Sequence, residues 1–395
     1  MSIVNLKEAF AKGKTAAEKK QVGDVICEDI RTGKLTKDKL SLRNIAEATL
    51  GQEGMDALAK MNGEGELVAG LRESVDPVNL SAFTNITGQL IIKGAYEAYK
   101  SPDYIGDRLV TTEQDVEDNV RVPGLALIDD DALNVAEGGE YPAAKFGEDY
   151  IDVPGSVKKG LRIALTRELI FFDRTGKLME LAQGVGERLG TNKEKRILRV
   201  VLGLVNNHVR KGVARNTYVA SADPRINKKA SFALTDWDTF DTLLQMFNDM
   251  SDDRATGEPI MVRPDTLLVA QALEMTAARI AAATQIRTST DSNNTNTYGA
   301  NPVAGMISNI VTSPWIQRLL VESGVSASDA KTHYYWGSPK RAFRYRTLFP
   351  FALTPAPAGQ DDDFNRDVLM QWKASERGVA YSYAPWHVIA AQAEA

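Results

Sequence analysis

Two runs close together decide how this chain is built: Val135-Ala136-Glu137-Gly138-Gly139-Glu140-Tyr141-Pro142, and then Val153-Pro154-Gly155 leading into Lys158-Lys159-Gly160-Leu161-Arg162-Ile163-Ala164-Leu165. Glycine and proline punctuate short extended pieces such as Tyr150-Ile151-Asp152-Val153. That is the pattern of a hairpin, here with long arms over Leu125 to Glu168. Its tip, Glu137 to Asp149, has few large apolar residues to bury. A two-stranded hairpin without a third strand or a helix behind it is marginal in water. Such a tip makes sense if it lies on another molecule.

What flanks the hairpin is helical. Upstream, Ile86, Leu90 and Ile91 fall on one side of a predicted helix from Leu80 to Tyr99, ended by Ser101-Pro102. Residues 1 to about 75 read as short helices, with Leu42, Ile45, Ala46 and Leu50 at helical spacing after a capping Ser41. Gly51, Gly54, Gly63 and Gly65 are expected to interrupt them. This stretch is too polar for a domain of its own and reads as an arm that leans on something else. Downstream, Leu178, Leu181, Ala182, Val185, Leu189, Ile197, Val200, Val201 and Leu204 mark a long helix from Gly176 to Leu204. Gly184, Gly186 and Gly190 within it permit bending or close packing, each at a cost of up to ~1 kcal/mol.

The remainder mixes helix and strand. Trp237, Phe240, Leu243, Leu244, Phe247 and Met250 form one apolar face, with Thr235 and Asp238 spaced as a capping box. Pro259 to Val262 and Thr266 to Ala270 read as buried strands, and Ala272 to Ala283 as a helix. Thr288 to Asn301 is polar and reads as a mobile loop. Phe343 to Arg346, Leu348 to Phe351 and Val368 to Trp372 read as strands.

Composition narrows the classes of function. A chain of 395 residues buries an ample core without staples. The single cysteine, Cys27, can form no internal disulfide and fits a reducing compartment. The first residues lack a secretory pattern, and no uncharged apolar run approaches the ~20 residues of a membrane span. A formal net charge of -5 argues against a dedicated nucleic-acid binder. The charge is nevertheless segregated. Asp103 to Tyr150 carries 13 acidic and 3 basic side chains, whereas Ser156 to Val200 carries 11 basic and 5 acidic. Adjacent blocks of opposite sign suit copies that dock in one register.

Chemistry is hard to find. His208, His333 and His387 lie far apart and read as surface or packing residues, and one cysteine leaves no zinc set. The run from Gly184 through Gly186 to Gly190 misses a dinucleotide fingerprint by one residue and lies inside a helix. Asp129-Asp130-Asp131 and Asp361-Asp362-Asp363 lack the spacing of a calcium loop and read as solvated turns. No catalytic residue, cofactor or metal site is expected.

The order of these features resembles the HK97-type major capsid proteins of tailed bacteriophages. The stretch from Val135 to Pro142, then Phe146, then Lys159 to Glu168, resembles that family's E-loop passing toward its spine helix. Pro259 to Val269 resembles the entry to its A-domain. Phe364 to Val368 and Trp372 to Gly378 resemble its C-terminal P-domain strands. The resemblance covers about residues 80 to 395. It implies an α+β fold divided into an N-terminal arm (1–80), a helix and linker (81–121), the E-loop (122–168), a P-domain with the spine helix (169–258), an A-domain (259–345) and C-terminal P-domain strands (346–395). It implies a structural subunit, not an enzyme, forming hexamers and pentamers of an icosahedral head around non-specifically held double-stranded DNA. It also implies a portal, and a scaffold or decoration protein, as partners, with assembly in the bacterial cytoplasm and no membrane.

Under that resemblance, Glu137, Glu140, Lys145, Glu148, Asp149, Lys158, Lys159, Arg162, Arg174, Glu376 and Arg377 are expected at contacts between subunits. Asp291, Asn293, Asn294, Asn296 and Tyr298 are expected near the capsomer axis. Where one member of the family carries a crosslinking lysine, Gly147 and Glu148 follow Phe146 here, so no covalent crosslink is expected. The arm, with 9 basic and 6 acidic residues from 1 to 40, reads as an interlock between subunits. An encapsulin-like nanocompartment shell and a soluble oligomeric enzyme are the alternatives.

Overall fold

A computed structural model describes residues 16–32, 42–60, 77–118, 121–127, 146–172, 175–205, 208–221, 223–251, 259–289, 296–357 and 367–392. Its first elements are helices α1 (Ala16–Thr32), α2 (Leu42–Lys60), α3 (Pro77–Tyr99) and α4 (Gly106–Leu109), followed by strands β1 (Thr111–Gln114), β2 (Arg121–Leu127), β3 (Phe146–Asp152) and β4 (Val157–Thr166). Helices α5 (Arg167–Phe171) and α6 (Thr175–Val201) lead to β5 (His208–Arg210), β6 (Val213–Arg215) and β7 (Lys228–Lys229). Helix α7 (Asp238–Asn248), β8 (Thr266–Val269), α8 (Glu274–Ala282), β9 (Gln285–Ser289), β10 (Asn296–Ala300), β11 (Asn309–Thr312) and α9 (Pro314–Glu322) follow. The chain closes with β12 (Tyr334–Gly337), α10 (Pro339–Ala342), β13 (Phe343–Pro357), β14 (Val368–Ser382) and β15 (Val388–Ala391). The class is mixed α+β, and the chain divides into two units.

The first unit comprises residues 1–103, 158–192 and 349–377. Helices gather on one face of β4, β14 and the later part of β13, with β14 in the middle. Ile26 and Ile30 of α1, Leu42, Ile45 and Leu50 of α2, and Phe83, Ile86 and Leu90 of α3 join one core. Ile163 and Leu165 of β4 and Trp372 of β14 close it from the sheet side. The two N-terminal helices therefore lean on their own chain. Helix α2 runs through Gly51 and Gly54, contrary to expectation, because its buried face outweighs a propensity cost of ~1 kcal/mol per glycine. Gly63 and Gly65 lie outside the described residues. In α6, Gly186 packs against α3 so closely that a Cβ would lie 2.1 Å from the Ala95 carbonyl oxygen. Leu181, expected in the apolar stripe, is instead 45% exposed.

The second unit comprises residues 104–157, 193–348 and 378–395. Its centre is a five-stranded sheet in the order β11-β8-β12-β15-β7. Alternation along these strands feeds two cores. Leu267, Val269, Tyr334, Trp336 and Ile389 face α7, where Phe240 and Phe247 pack on the Trp336 ring. Leu268, Tyr335, Val388 and Ala390 face the C-terminal part of α6 and α9. Strands buried on both faces read in sequence as continuous apolar runs, as Thr266 to Ala270 does.

Several boundaries differ from expectation. Trp237, not Thr235, is the N-cap of α7, and no side chain caps it; Asp236 Oδ1 accepts from the Trp237 amide and sets the turn instead. Pro259 to Val262 forms no strand beyond one bridge to Ser251, and Met261 is 89% exposed. The polar stretch at 288–301 is not a loop throughout: β9 and β10 form an antiparallel hairpin with Tyr298 opposite Arg287. Buried Asn301 fastens its base, donating from Nδ2 to the carbonyls of Ile280 and Ala283.

Candidate functional site

The hairpin that the sequence marked has β2 and β3 as its arms, in register from Arg121 opposite Asp152 to Leu127 opposite Phe146. Strand β4, read as part of it, instead joins the sheet with β14. Phe146 to Asp149, expected in the tip, is strand. The base is anchored: Ile151 and Val153 pack on Tyr381, β5 pairs with Ile151 and Asp152, and Arg121 bonds Asp152 at 3.2 Å. Beyond Tyr150, among the described residues, β3 pairs with β2 alone. Glu148 and Asp149 lie on this two-stranded portion, opposite Leu125 and Gly124. Glu137, Glu140 and Lys145 lie outside the described residues.

In the first unit, no helix among the described residues packs on the outward face of the β4–β14–β13 sheet. It holds a groove of about 590 Å³ lined by Lys158, Leu161, Arg162, Thr354, Trp372 and Lys373 among others. Alternation accounts for the polar part of the lining: Ile163 and Leu165 turn to the helical core while Lys158, Gly160 and Arg162 open outward. Arg162 Nη1 is fixed by a 3.0 Å bond to Gln371 Oε1. Gly160 lets β4 approach β14, because a Cβ there would lie 2.8 Å from the Ala374 carbonyl oxygen. The groove thus presents three cations over an apolar floor. Lys373 escaped the sequence reading. Its place beside buried Trp372 on an alternating strand was the available signal.

Other expected contact residues fare differently. Lys159 is half-buried and does not line the groove. Glu376 is 3% exposed and accepts from Tyr99 Oη at 2.5 Å, so it is an internal residue. Arg377 is half-buried, and Arg174 lies outside the described residues. Asp291, Asn293 and Asn294 lie outside them too, while Asn296 and Tyr298 are placed on β10. The early part of the acidic block is spent within the chain. Asp107 pairs with Lys193 at 2.7 Å, Glu113 with Arg344 and Tyr381, and Asp115 with Arg346 at 3.2 Å.

The histidines are packing residues. Burial pushes all three below the ordinary imidazole value, His333 to about 4. Among the described residues, no cluster of three His, Cys, Asp or Glu side chains could hold a metal ion.

Comparison with known proteins agrees with a structural role. No curated protein sequence matches the chain. Among solved structures, the cyanophage Pam1 capsid matches with a TM-score of 0.42 and 11% identity over 72% of this chain and 88% of that one. The Gordonia phage Cozz chain matches with a TM-score of 0.42 and 13% identity, over 74% and 87%. A virus-like particle from Pyrococcus furiosus matches with a TM-score of 0.41 and 10% identity, over 77% and 98%. Scores of this size decide nothing by themselves. The model of the family described as phage capsid protein matches residues 151–384, more than half of the chain. By that match this chain belongs to the phage capsid protein family and is a structural component of the virion, not an enzyme.

Proposed function

We propose that copies of this chain close into hexamers and pentamers of an icosahedral head by laying the β2–β3 hairpin of one copy over the groove between β4 and β14 of its neighbour. The observation that carries this is a hairpin that, among the described residues, pairs only with itself beyond Tyr150 and bears Glu148 and Asp149. A groove whose rim is Lys158, Arg162 and Lys373 complements it. Each exposed ion pair contributes only ~0.2–1 kcal/mol, but a shell repeats it at every contact and fixes the register. In this reading β2–β3 is the E-loop and α6 the spine helix. The region from β8 to β12 is the A-domain, with the β9–β10 hairpin at the capsomer axis. The head encloses double-stranded DNA and meets a portal, with a scaffold or decoration protein as further partners.

The test is charge reversal. Lys158→Glu with Arg162→Glu is expected to abolish closed shells while leaving circular dichroism and the thermal transition unchanged. Glu148→Lys with Asp149→Lys in the same chain is expected to restore shells in part. Normal shells from the first variant would overturn the docking.

A further inference from the structure

The C-terminal part of α6 and helix α9 meet in the second unit, and each buries one face in the same core. Ile197, Leu198 and Val201 of α6 and Ile316, Leu319 and Leu320 of α9 belong to it. From Lys193 to Val201 and from Pro314 to Glu322 the chain has five Lys or Arg residues and two carboxylates. One of those carboxylates, Glu194, is turned inward to the amides of Ile105 and Gly106. Lys193 pairs with Asp107, and Arg196 donates to the Gly378 carbonyl. Lys195, Arg199 and Arg318 are left for the outward face.

Trp315 and Glu322 gather these three. Lys195 Nζ lies 4.1 Å from the centroid of the Trp315 ring, and the Arg318 guanidinium carbon 5.9 Å from it. Glu322 takes Arg318 Nε at 3.3 Å on one carboxylate oxygen and Arg199 Nη2 at 3.5 Å on the other. Among the described residues, Glu322 is the one carboxylate paired with any of the three, and Lys195 meets no acceptor. One negative charge therefore faces three positive ones, and both guanidinium forks keep donors to spare. The short turn packed beside α9 adds one charge of each sign, Asp329 and Lys331, and leaves the balance unchanged. The cations stay open to solvent, Arg199 at 48% and Arg318 at 69% exposure. The indole platform and the i,i+4 pair hold them in place, so little freedom is lost when an anion arrives.

We infer that this face of α6 and α9, centred on Trp315, lies against the phosphate backbone of double-stranded nucleic acid. The inference rests on the capsid reading, which gives the chain an enclosed duplex as its most concentrated polyanion. Single strands are held largely by stacking bases on aromatic rings, but the Trp315 ring is already covered by Lys195 and approached by Arg318. The same cover removes the apolar seat that a peptide side chain would use. What remains is charge, which positions a phosphate backbone without reading its bases. Three cations partly offset by Glu322, on a chain of formal net charge -5, make a weak grip that lets a genome leave.

The test is anisotropy of a fluorescein-labelled duplex of about 20 base pairs, titrated with the full chain between about 50 and 200 mM salt. Lys195→Gln with Arg318→Gln is the main variant. Arg199→Gln alone leaves the Trp315 platform intact and guards against misfolding, with thermal melts for all. Each lost phosphate contact is expected to make the slope of log affinity against log salt shallower by ~0.9, so by up to ~2 for the pair. Arg43→Gln, on α2 of the first unit, removes an exposed arginine elsewhere and is expected to leave the slope as it is. Shell formation, followed by sedimentation, is expected to be unchanged in every variant. A parent chain that forms no shells contradicts the capsid reading, whereas the slopes decide this inference. No duplex binding by the parent chain overturns it, and so does an equal loss of slope in Arg43→Gln. Lower melting temperatures with unchanged slopes overturn it too and leave the cluster a structural clasp. Loss of shells with the slope retained overturns it as well, and assigns the face to an acidic segment of a neighbouring copy.

Discussion

Glu194 illustrates how a single buried charge holds a turn. It is 3% exposed, and its carboxylate accepts the amides of Ile105 at 3.1 Å and Gly106 at 2.7 Å, where α4 begins. Only glycine fits beside it, because a Cβ on residue 106 would lie 2.5 Å from Glu194 Oε2. Glu194→Ala would leave two buried amides without acceptors, and a loss of about 2–5 kcal/mol in urea unfolding is expected. Burial raises the Glu194 pKa above its ordinary value, against the two amide bonds that lower it. The folded state therefore binds the proton more tightly than the unfolded chain does. This group's contribution falls as pH rises from the ordinary carboxylate value through the raised one. The histidines act with the opposite sign. With His333 lowered to about 4, its neutral form supports the fold fully above pH ~6.5. That support is lost as pH falls toward 4. His333→Gln is expected to flatten the decline of thermal stability between pH 7 and pH 5; an unchanged decline would show that His333 titrates as in the unfolded chain.

At the scale of elements, two glycines of α6 that look alike in sequence should behave oppositely. Gly186 lies against the Ala95 carbonyl, whereas a Cβ on Gly184 meets nothing within 4 Å. Gly186→Ala is expected to lower stability by ~1–3 kcal/mol through overpacking, and Gly184→Ala to raise it by up to ~1 kcal/mol, both read from thermal unfolding. Equal effects would mean that α3 and α6 do not approach as described. The difference also shows what the sequence could reveal. Helix α6 was legible because Leu178, Ala182 and Leu189 repeat at its period, but which glycine touches a neighbour depends on the partner's backbone. Helix α2 outran its glycines for a related reason, since its burial is a property of the assembled core. The β9–β10 hairpin was invisible because backbone bonds, not side-chain alternation, pair it. Strand β4 was recognised as extended but given to the wrong partner, because alternation fixes a face and not a neighbour. Lys158 and Arg162 do open outward on β4, while Glu376, a charged residue beside Arg377, gave no sign that it would be buried against Tyr99.

At the scale of the molecule, the account rests on segregated charge and on surfaces left incomplete in one copy. The acidic block begins with residues paired inside their own chain and continues into the two-stranded portion of β2–β3. The first unit keeps a basic groove on the sheet face opposite its helices. A chain that folds around two well-packed units and still leaves these surfaces open is suited to repeat itself. The central claim, self-assembly into a shell, is tested most directly by negative-stain electron microscopy of the purified protein together with its sedimentation profile. Closed shells, or rings of five or six subunits, are the predicted result. Uniform particles of two to four subunits would contradict it.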